Sequence, residues 1–143
     1  MINLRHVGLI VKDIDKSYEL YRDILGFIPK VDQIEKGEFY EHLTGLVSGV
    51  ARTSKCYSED GTCIEFIEYQ SQSSDNRHKN LTSDGFNHIA LNVDDLDCLH
   101  TRLVDIGLEF INEPKLNPEK TAKVAFCKDF EGNLLELVQT SFN

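Results

Sequence analysis

The amino-acid sequence predicts an α+β fold of two tandem βαβββ modules, whose strands form a curved mixed sheet, or cup, with the helices on the outside. Two repeats predict it. HVGLIVKDID (6–15) resembles HIALNVDDLD (88–97) at an offset of 82 residues, and EDGTCIEFIEY (59–69) resembles FEGNLLELVQT (130–140) at an offset of 71. Repeated segments in the same order indicate a duplicated supersecondary unit.

The elements of the first module follow from periodicity and turn chemistry. HVGLIV (6–11) alternates between apolar and other residues, which is typical of a strand with one buried face. The acidic cap region KDIDKS precedes a helix, YELYRDIL, and Gly26 ends that helix as a left-handed residue. Three further strands are predicted near 27–36, 49–57 and 62–69.

The second module repeats this order. DDLD (94–97) begins a helix that Gly107 ends. Its apolar residues fall at helical spacing on one side: Leu96, Leu99, Leu103 and Ile106. The remaining strands are predicted near 108–113, 122–128 and 133–140.

Two segments lie outside the repeat. The polar stretch 70–84 is a linker between module one (1–69) and module two (85–143), within a single domain, 1–143. The insertion GEFYEHLTGLVSG (37–49) is a loop or one helical turn at the rim of the cup. Its Phe39 and Tyr40 either cover a substrate or anchor the insertion to the core.

The amino-acid composition limits the classes of partner that the protein can bind. The net charge of −9 argues against nucleic acid and anionic membrane surfaces, which need Lys and Arg. The N-terminus lacks the shape of a signal peptide and no apolar run reaches the length of a membrane helix, so a cytoplasmic protein is expected. The four cysteines form no CxxC pair and are expected to be reduced, buried thiols: Cys56, Cys63, Cys98 and Cys127.

Four polar side chains occupy matched places in the two modules. His6 and His88 begin equivalent strands, and Glu65 and Glu136 lie in the middle of equivalent apolar strands. Alternation places all four on the face away from the helices. A divalent cation would compensate the buried carboxylates, and two imidazoles with two carboxylates suit Ni, Co, Zn, Mn or Fe with positions left for water or substrate. The alternative is structural: hydrogen-bonded histidines and solvated edge-strand glutamates.

The segments HVGLIVKDIDKSYELYRDILGF, GFNHIALNVDDLD and KDFEGNLLELVQ resemble the vicinal oxygen chelate superfamily. Its members include glyoxalase I, methylmalonyl-CoA epimerase, extradiol dioxygenases and fosfomycin and bleomycin resistance proteins. The resemblance implies paired βαβββ modules around one divalent metal. The bacterial glyoxalase I pattern of His, Glu, His, Glu matches His6, Glu65, His88 and Glu136.

The resemblance also implies a reaction. We expect a glyoxalase I-type lyase or isomerase that moves a proton next to a metal-bound carbonyl through an enediolate or enolate, with Glu136 as main base and Glu65 as its partner. The resemblance further implies a small substrate (an α-keto or hydroxy carbonyl, a thiohemiacetal or a thioester) and a homodimer. Ile10 replaces the Arg that glyoxalase I usually uses to hold glutathione; Arg22 or Arg52 is the alternative cation.

The sequence is also compatible with three other functions. The first is epimerase-like racemisation of an acyl-CoA, although epimerases usually carry Gln where this chain has Glu65. The second is an Fe(II)-dependent extradiol-type dioxygenase that uses His6, His88 and Glu136. The third is a resistance or ligand-binding protein without turnover.

Overall fold

The structure is a computed structural model that describes residues 1–73 and 79–142. The chain divides into two compact units, Met1–Asn76 and Arg77–Asn143. The predicted linker, 70–84, spans this division, and its residues 74–78 lie outside the described part. The module limits of 1–69 and 85–143 stay a prediction.

The first unit contains one four-stranded mixed sheet. Its described elements are β1 (Val7–Ile10), α1 (Ile14–Tyr21), β2 (Ile28–Glu35), α2 (Glu38–Thr44), β3 (Ala51–Tyr57) and β4 (Cys63–Tyr69). The strand order is β1-β4-β3-β2, with β1 parallel to β4 and the other pairs antiparallel. Helix α1 contacts β4, where the Tyr21 ring lies 4.9 Å from the ring of Phe66, and both side chains are fully buried.

The second unit has the same strand topology. Its described elements are β5 (His88–Asn92), α3 (Leu96–Asp105), β6 (Lys115–Leu116), β7 (Lys123–Lys128) and β8 (Leu134–Gln139). The order is β5-β8-β7-β6, and again the first strand runs parallel to the last. Helix α3 contacts β8, and this core contains the fully buried Leu96, Leu103, Leu135 and Leu137.

Both modules tie the first turn of their helix to the last strand of the module in the same way. The Asp13 carboxylate accepts from the backbone N–H of Lys16, and the carboxylate of Glu68 on β4 accepts from the N–H of Ile14. In the second unit Asp95 and the amide oxygen of Gln139 repeat these bonds. Their donors are the N–H groups of Cys98 and Leu96. Each pair of side chains satisfies two of the N–H groups that a helix start leaves without a partner.

The α+β class and the tandem βαβββ order are confirmed, whereas several boundaries differ. Helix α1 begins four residues before the predicted YELYRDIL because Asp13 already caps it. The insertion forms a two-turn helix, α2. Gly26 and Gly107 have φ angles of +79° and +92°, as expected for left-handed residues after a helix.

The strand predicted near 108–113 is the main local error. Only Phe110 bridges to Cys127 there, and the regular pairing of β6 begins at Lys115. Pro114 has no N–H to donate, which favours a break in an edge strand at this point. The sheet of the second unit therefore has a shorter edge strand than that of the first.

The cysteines are free thiols, as expected, but one of them is not buried. Cys56, Cys63 and Cys127 lie in the cores, whereas Cys98 is exposed on α3. Burial raises the pKa of Cys127 to about 12, which keeps this thiol protonated at neutral pH.

The hydrogen bond between Glu68 and the first turn of α1 predicts different effects of two substitutions on stability. Glu68→Ala removes the acceptor for the Ile14 N–H and is expected to lower the free energy of unfolding by about 1 kcal/mol. Glu68→Gln keeps an acceptor, as Gln139 does in the second unit, and is expected to leave stability nearly unchanged. Urea unfolding followed by circular dichroism measures both; equal losses in the two variants would contradict the role of this bond.

Candidate metal site

His6 and Glu65 form a close pair in the first unit. His6 directly precedes β1, and Glu65 is the third residue of β4, in register with Gly8. The Nε2 atom of His6 lies 2.9 Å from Oε2 of Glu65. The Glu65 side chain is only 15% exposed, because β4 is an interior strand rather than the edge strand of the solvated alternative. A carboxylate in this place needs a compensating partner.

His88 and Glu136 repeat the arrangement in the second unit. His88 begins β5, and Glu136 lies in the middle of β8, in register with Ala90. The Nε2 atom of His88 lies 3.3 Å from Oε2 of Glu136. In both units the histidine stands two residues before the register partner of the glutamate. The shared geometry therefore follows from the same parallel pairing of first and last strands.

Burial along the last strands agrees with the predicted faces. Ile64 and Phe66, the neighbours of Glu65, are 1% and 0% exposed, and Leu135 and Leu137 on either side of Glu136 are fully buried. These apolar residues lie on the side of each sheet that the helix covers. The His6–Glu65 pair therefore lies on the face away from α1, and the His88–Glu136 pair on the face away from α3.

The ring orientation of His88 is fixed by a neighbour that the sequence analysis did not identify. Nδ1 of His88 lies 3.1 Å from Oδ1 of Asn87, whose amide nitrogen donates to the carbonyl oxygens of Asn80 and Ser83. These bonds assign the oxygen of Asn87 to the side of His88, so that Nδ1 donates. Nε2 is then the ring nitrogen that faces Glu136, and a hydrogen bond at the other nitrogen is the usual way in which a metal-bound histidine is oriented.

The residues across from the two glutamates differ. Lys55 on β3 is in register with Glu65, and its Nζ lies 3.9 Å from Oε1 of that carboxylate. The equivalent residue on β7 is Phe126, in register with Glu136, and its ring centroid lies 5.3 Å from that of His88. Lys55 was not predicted as a site residue, although an alignment of the last hairpins of the two modules pairs it with Phe126.

The insertion packs onto the first unit through one of its two aromatic residues. Tyr40 is 8% exposed, whereas Phe39 is 77% exposed. Burial and a hydrogen bond with Tyr69 raise the pKa of Tyr40 to about 12, and the charges of Glu35 and Glu65 act in the same direction. Tyr69 lies on the same face of β4 as Glu65. Tyr40 therefore anchors α2 on the side of the sheet that carries the His–Glu pair.

The two arginines considered as alternative cations are both held in ion pairs. Arg22 pairs with the neighbouring Asp23. Arg52 donates to Asp32 at 2.7 and 2.9 Å and to Asp15 of α1 at 3.0 Å. Arg52 therefore belongs to the helix-covered side of the first sheet.

The donor set and its spacing fit a divalent cation. Two adjacent ligands that lie 2.0–2.2 Å from one metal ion, at angles from 90° to tetrahedral, are roughly 2.8–3.6 Å apart. The His–Glu separations of 2.9 and 3.3 Å correspond to this spacing. Within residues 1–73 and 79–142 no group of three or more His, Cys, Asp or Glu side chains is assembled, so each unit by itself offers two candidate ligands.

Comparison with known proteins identifies the family. The model of the Glyoxalase/Bleomycin resistance protein/Dioxygenase superfamily matches residues 3–137. A probable lactoylglutathione lyase from Synechocystis is 31% identical over 139 residues, covering 96% of this chain and 95% of the relative. Glyoxalase I of Saccharomyces cerevisiae is 25% identical, covering 93% of this chain and 42% of the yeast protein. The chain belongs to the Glyoxalase/Bleomycin resistance protein/Dioxygenase superfamily.

Solved structures share the fold at lower identity. A glyoxalase family protein from Bacillus cereus superposes with a TM-score of 0.89 at 21% identity, covering 97% of this chain and 94% of that protein. The fosfomycin resistance protein FosX from Listeria monocytogenes, in a crystal with Mn(II) and sulfate, gives a TM-score of 0.64 at 21% identity, covering 99% and 96%. Among the described helices, none has the length and apolar character needed to cross a bilayer.

The buried Tyr40 predicts a pH dependence. Its folded-state pKa of about 12 lies above the ordinary value of 10.0, so folding favours the neutral phenol. The stabilisation is fully present below pH 10 and is lost as the pH rises from 10 to 12. Tyr40→Phe is expected to lose less stability between pH 10 and pH 12 than the unmodified protein, because Phe has no phenol to ionise. Urea unfolding at fixed pH values measures this loss. The difference between the two proteins at pH 8 gives the contribution of the Tyr40 hydrogen bond. Identical pH profiles would contradict the assignment.

Proposed function

We propose that the protein is a divalent-metal-dependent lyase or isomerase of the glyoxalase I type, with His6, Glu65, His88 and Glu136 as metal ligands. The observation that carries the proposal is the duplicated His–Glu pair, whose separations of 2.9 and 3.3 Å suit adjacent ligands of one ion. Two imidazoles and two carboxylates suit Ni, Co, Zn, Mn or Fe. A set of four protein ligands leaves positions for substrate oxygens.

The reaction proposed is proton transfer next to a carbonyl. A bound divalent cation supplies Lewis acidity, which makes a C–H bond beside a carbonyl easier to ionise. Glu136 removes the proton and returns it to the neighbouring carbon, with Glu65 as its partner on the other side of the planar carbon. Asn87 holds the His88 ring through Nδ1 and so keeps the ring nitrogen next to Glu136 available as a ligand.

The surroundings of the two glutamates favour Glu136 as the main base. The carboxylate of Glu65 has His6 on one oxygen and the Lys55 ammonium 3.9 Å from the other. Both oxygens of Glu65 therefore face a nitrogen partner, which makes this carboxylate the more restrained of the two. Across from Glu136 stands the apolar Phe126, which offers no ion pair.

The relatives support this choice of reaction class. A 31% identical protein that covers nearly the whole chain is named a probable lactoylglutathione lyase, and the yeast relative is named glyoxalase I. By this similarity we propose a small carbonyl substrate, either an α-keto or hydroxy carbonyl, a thiohemiacetal or a thioester, together with a homodimer and a cytoplasmic location. Acyl-CoA racemisation, Fe(II)-dependent oxygenation and ligand binding without turnover are the alternatives.

Metal loading tests the site. Metal-stripped protein titrated with Ni(II) or Co(II) is expected to bind about one ion per chain, because four ligands suffice for one catalytic ion. Glu65→Ala and Glu136→Ala are expected to weaken binding at least about tenfold, since losing even an outer-shell partner costs 10–100-fold. Glu68→Gln, on the helix side of β4, is the matched control and keeps full affinity. Two ions per chain would mean that the pairs bind separately, and no binding would leave two simple His–Glu ion pairs.

Turnover tests the base. Glu136→Gln keeps an oxygen ligand but cannot accept a proton, so kcat is expected to fall by about 10²–10⁴-fold. Glu65→Gln is expected to cost less, because His6 and Lys55 already stand beside the two oxygens of Glu65. The assays are methylglyoxal with glutathione, racemisation of an acyl-CoA thioester, and oxygen uptake with Fe(II). A larger loss in Glu65→Gln would reverse the assignment. Oxygen uptake without isomerisation, or ligand binding that chelators do not affect, would replace the proposed reaction.

A further inference from the structure

The segment 79–87 contacts the starts of both strands that carry the candidate ligands of the second unit. Asn87 directly precedes β5, and Asn133 directly precedes β8. In the parallel pairing of these two strands His88 is in register with Leu134. Asn87 and Asn133 therefore stand at the same end of the sheet, which is the end where His88 lies.

A compact turn at residues 80–83 provides the acceptors for the amide of Asn87. The side-chain oxygen of Asn80 accepts from the backbone N–H of Thr82 at 3.0 Å and from its hydroxyl at 2.8 Å. The backbone N–H of Ser83 donates to the carbonyl oxygen of Asn80 at 3.1 Å, which closes the turn. The carbonyl oxygens of Asn80 and Ser83 then accept from Nδ2 of Asn87 at 2.8 and 3.3 Å. The turn therefore determines where the amide of Asn87 is held.

The two carbonyl acceptors also fix the direction of the Asn87 side chain. An Asn side chain has an NH₂ group that only donates and an oxygen that only accepts. Because the NH₂ group is bound by the turn, the oxygen faces Nδ1 of His88 at 3.1 Å. An imidazole that keeps a proton on Nδ1 binds a metal through Nε2, the nitrogen that lies 3.3 Å from Glu136. The influence of the turn therefore reaches the ring of His88.

The other end of the segment is attached to the hairpin that leads into β8. Nζ of Lys79 donates to Oδ1 of Asn133 at 2.6 Å. Asn133 is only 7% exposed, and its backbone N–H and its amide nitrogen donate to the carboxylate of Asp129 at 2.8 and 3.0 Å. Asn133 stands three residues before Glu136. The segment is thus attached beside β8 through Lys79 and beside β5 through Asn87.

The first module lacks the chemistry for the same support. In the repeat, Asn87 corresponds to Arg5, at the same offset of 82 residues as the two histidines. A guanidinium has donors and no acceptor, so Arg5 is unable to accept from the ring of His6. Support of the ring by the preceding side chain is therefore a property of His88 alone among the two candidate histidine ligands.

We propose that Asn80 is a positioning residue for His88, which it holds in place through the turn 80–83 and the amide of Asn87. Part of the predicted linker, 70–84, then supports the metal site as well as joining the modules. The proposal rests on the proposed function, because it concerns a ligand of the same site. Asn80 is exposed and bonds to Asn87 rather than to His88, so its substitution changes the support and leaves all four ligands in the chain.

Proton NMR of the Co(II)-loaded protein tests the proposal. Co(II) bound at Nε2 moves the Nδ1–H signal of a ligand histidine far outside the ordinary spectrum, and His88→Gln identifies the signal of His88. Asn80→Ala and Asn87→Leu are expected to speed exchange of this proton with water about tenfold, as the loss of one hydrogen bond allows. The exchangeable signal of His6 is expected to stay unchanged and serves as the internal reference.

The affinity for Co(II) is the second measurement. Asn87→Leu is expected to weaken binding about tenfold, the lower end of the effect of an outer-shell partner, and Asn80→Ala about threefold because it acts through Asn87. Asn80→Asp keeps the side-chain oxygen of the turn and is expected to preserve both the exchange rate and the affinity.

Asn117→Ala is the matched control. The side-chain oxygen of Asn117 accepts from the backbone N–H groups of Thr121 and Ala122 at 2.8 and 3.1 Å, in a similar turn before β7. This variant is expected to lose stability in urea unfolding, and to keep the exchange rate of the His88 proton and the affinity for Co(II). Equal effects of Asn80→Ala and Asn117→Ala would show general destabilisation and overturn the inference.

The remaining outcomes separate this inference from the proposed function. An unchanged exchange rate or an unchanged affinity in Asn80→Ala, in a protein that binds Co(II), overturns the inference alone. Failure of the unmodified protein to bind Co(II) overturns the proposed function and this inference with it. If Asn80→Ala does not fold, as judged by circular dichroism, Thr82→Val, which removes a donor to Asn80, must speed exchange of the His88 proton; an unchanged rate overturns the inference.

Discussion

The parallel pairing of the first and last strands of each module is the constraint on which the rest of the structure depends. Parallel neighbours need a long connection, and here the helix and two intervening strands provide it. The pairing places each histidine beside the glutamate of the last strand, in register with Gly8 in one unit and Ala90 in the other. A slip of one residue would turn Glu65 or Glu136 into the helix-covered core, where an unpaired carboxylate is costly.

The helix caps support this register from the other side of the sheet. Glu68 and Gln139 stand three residues after the two glutamates, on the opposite face of the same strands. Their side chains reach the first N–H groups of α1 and α3, so the helix start and the last strand are fixed relative to each other. Within each module, one strand thus presents a metal-ligand candidate on one face and a helix cap on the other.

Much of this arrangement could be predicted from the sequence, because duplication makes weak signals reinforce each other. A single His or Glu in a strand says little, but His6 with His88 and Glu65 with Glu136 recur at matched places. The alternation of side chains along a strand then predicts that all four lie on the sheet face away from α1 and α3. The start of α1 and the break before β6 were missed because they depend on a side-chain cap and on Pro114, and neither changes the hydrophobic period.

The features that make the two modules different were harder to predict. The roles of three residues depend on contacts across strands or loops, such as the hydrogen bond between Asn87 and His88. These residues are Lys55, Tyr40 and Asn87. No local pattern marks a lysine that faces a glutamate on the next strand. The repeat itself contained part of the answer, since comparing Lys55 with Phe126 shows where the symmetry fails.

The loss of symmetry has a chemical consequence. An exactly duplicated site would give two equivalent carboxylates and no preference for the end of a substrate at which proton transfer starts. Here the ammonium of Lys55 lies beside one glutamate and an aromatic ring stands across from the other. The two candidate carboxylates therefore stand in unlike surroundings although the strands that carry them are duplicated. Under the proposed function this difference in surroundings is what distinguishes Glu136, the proposed main base, from Glu65.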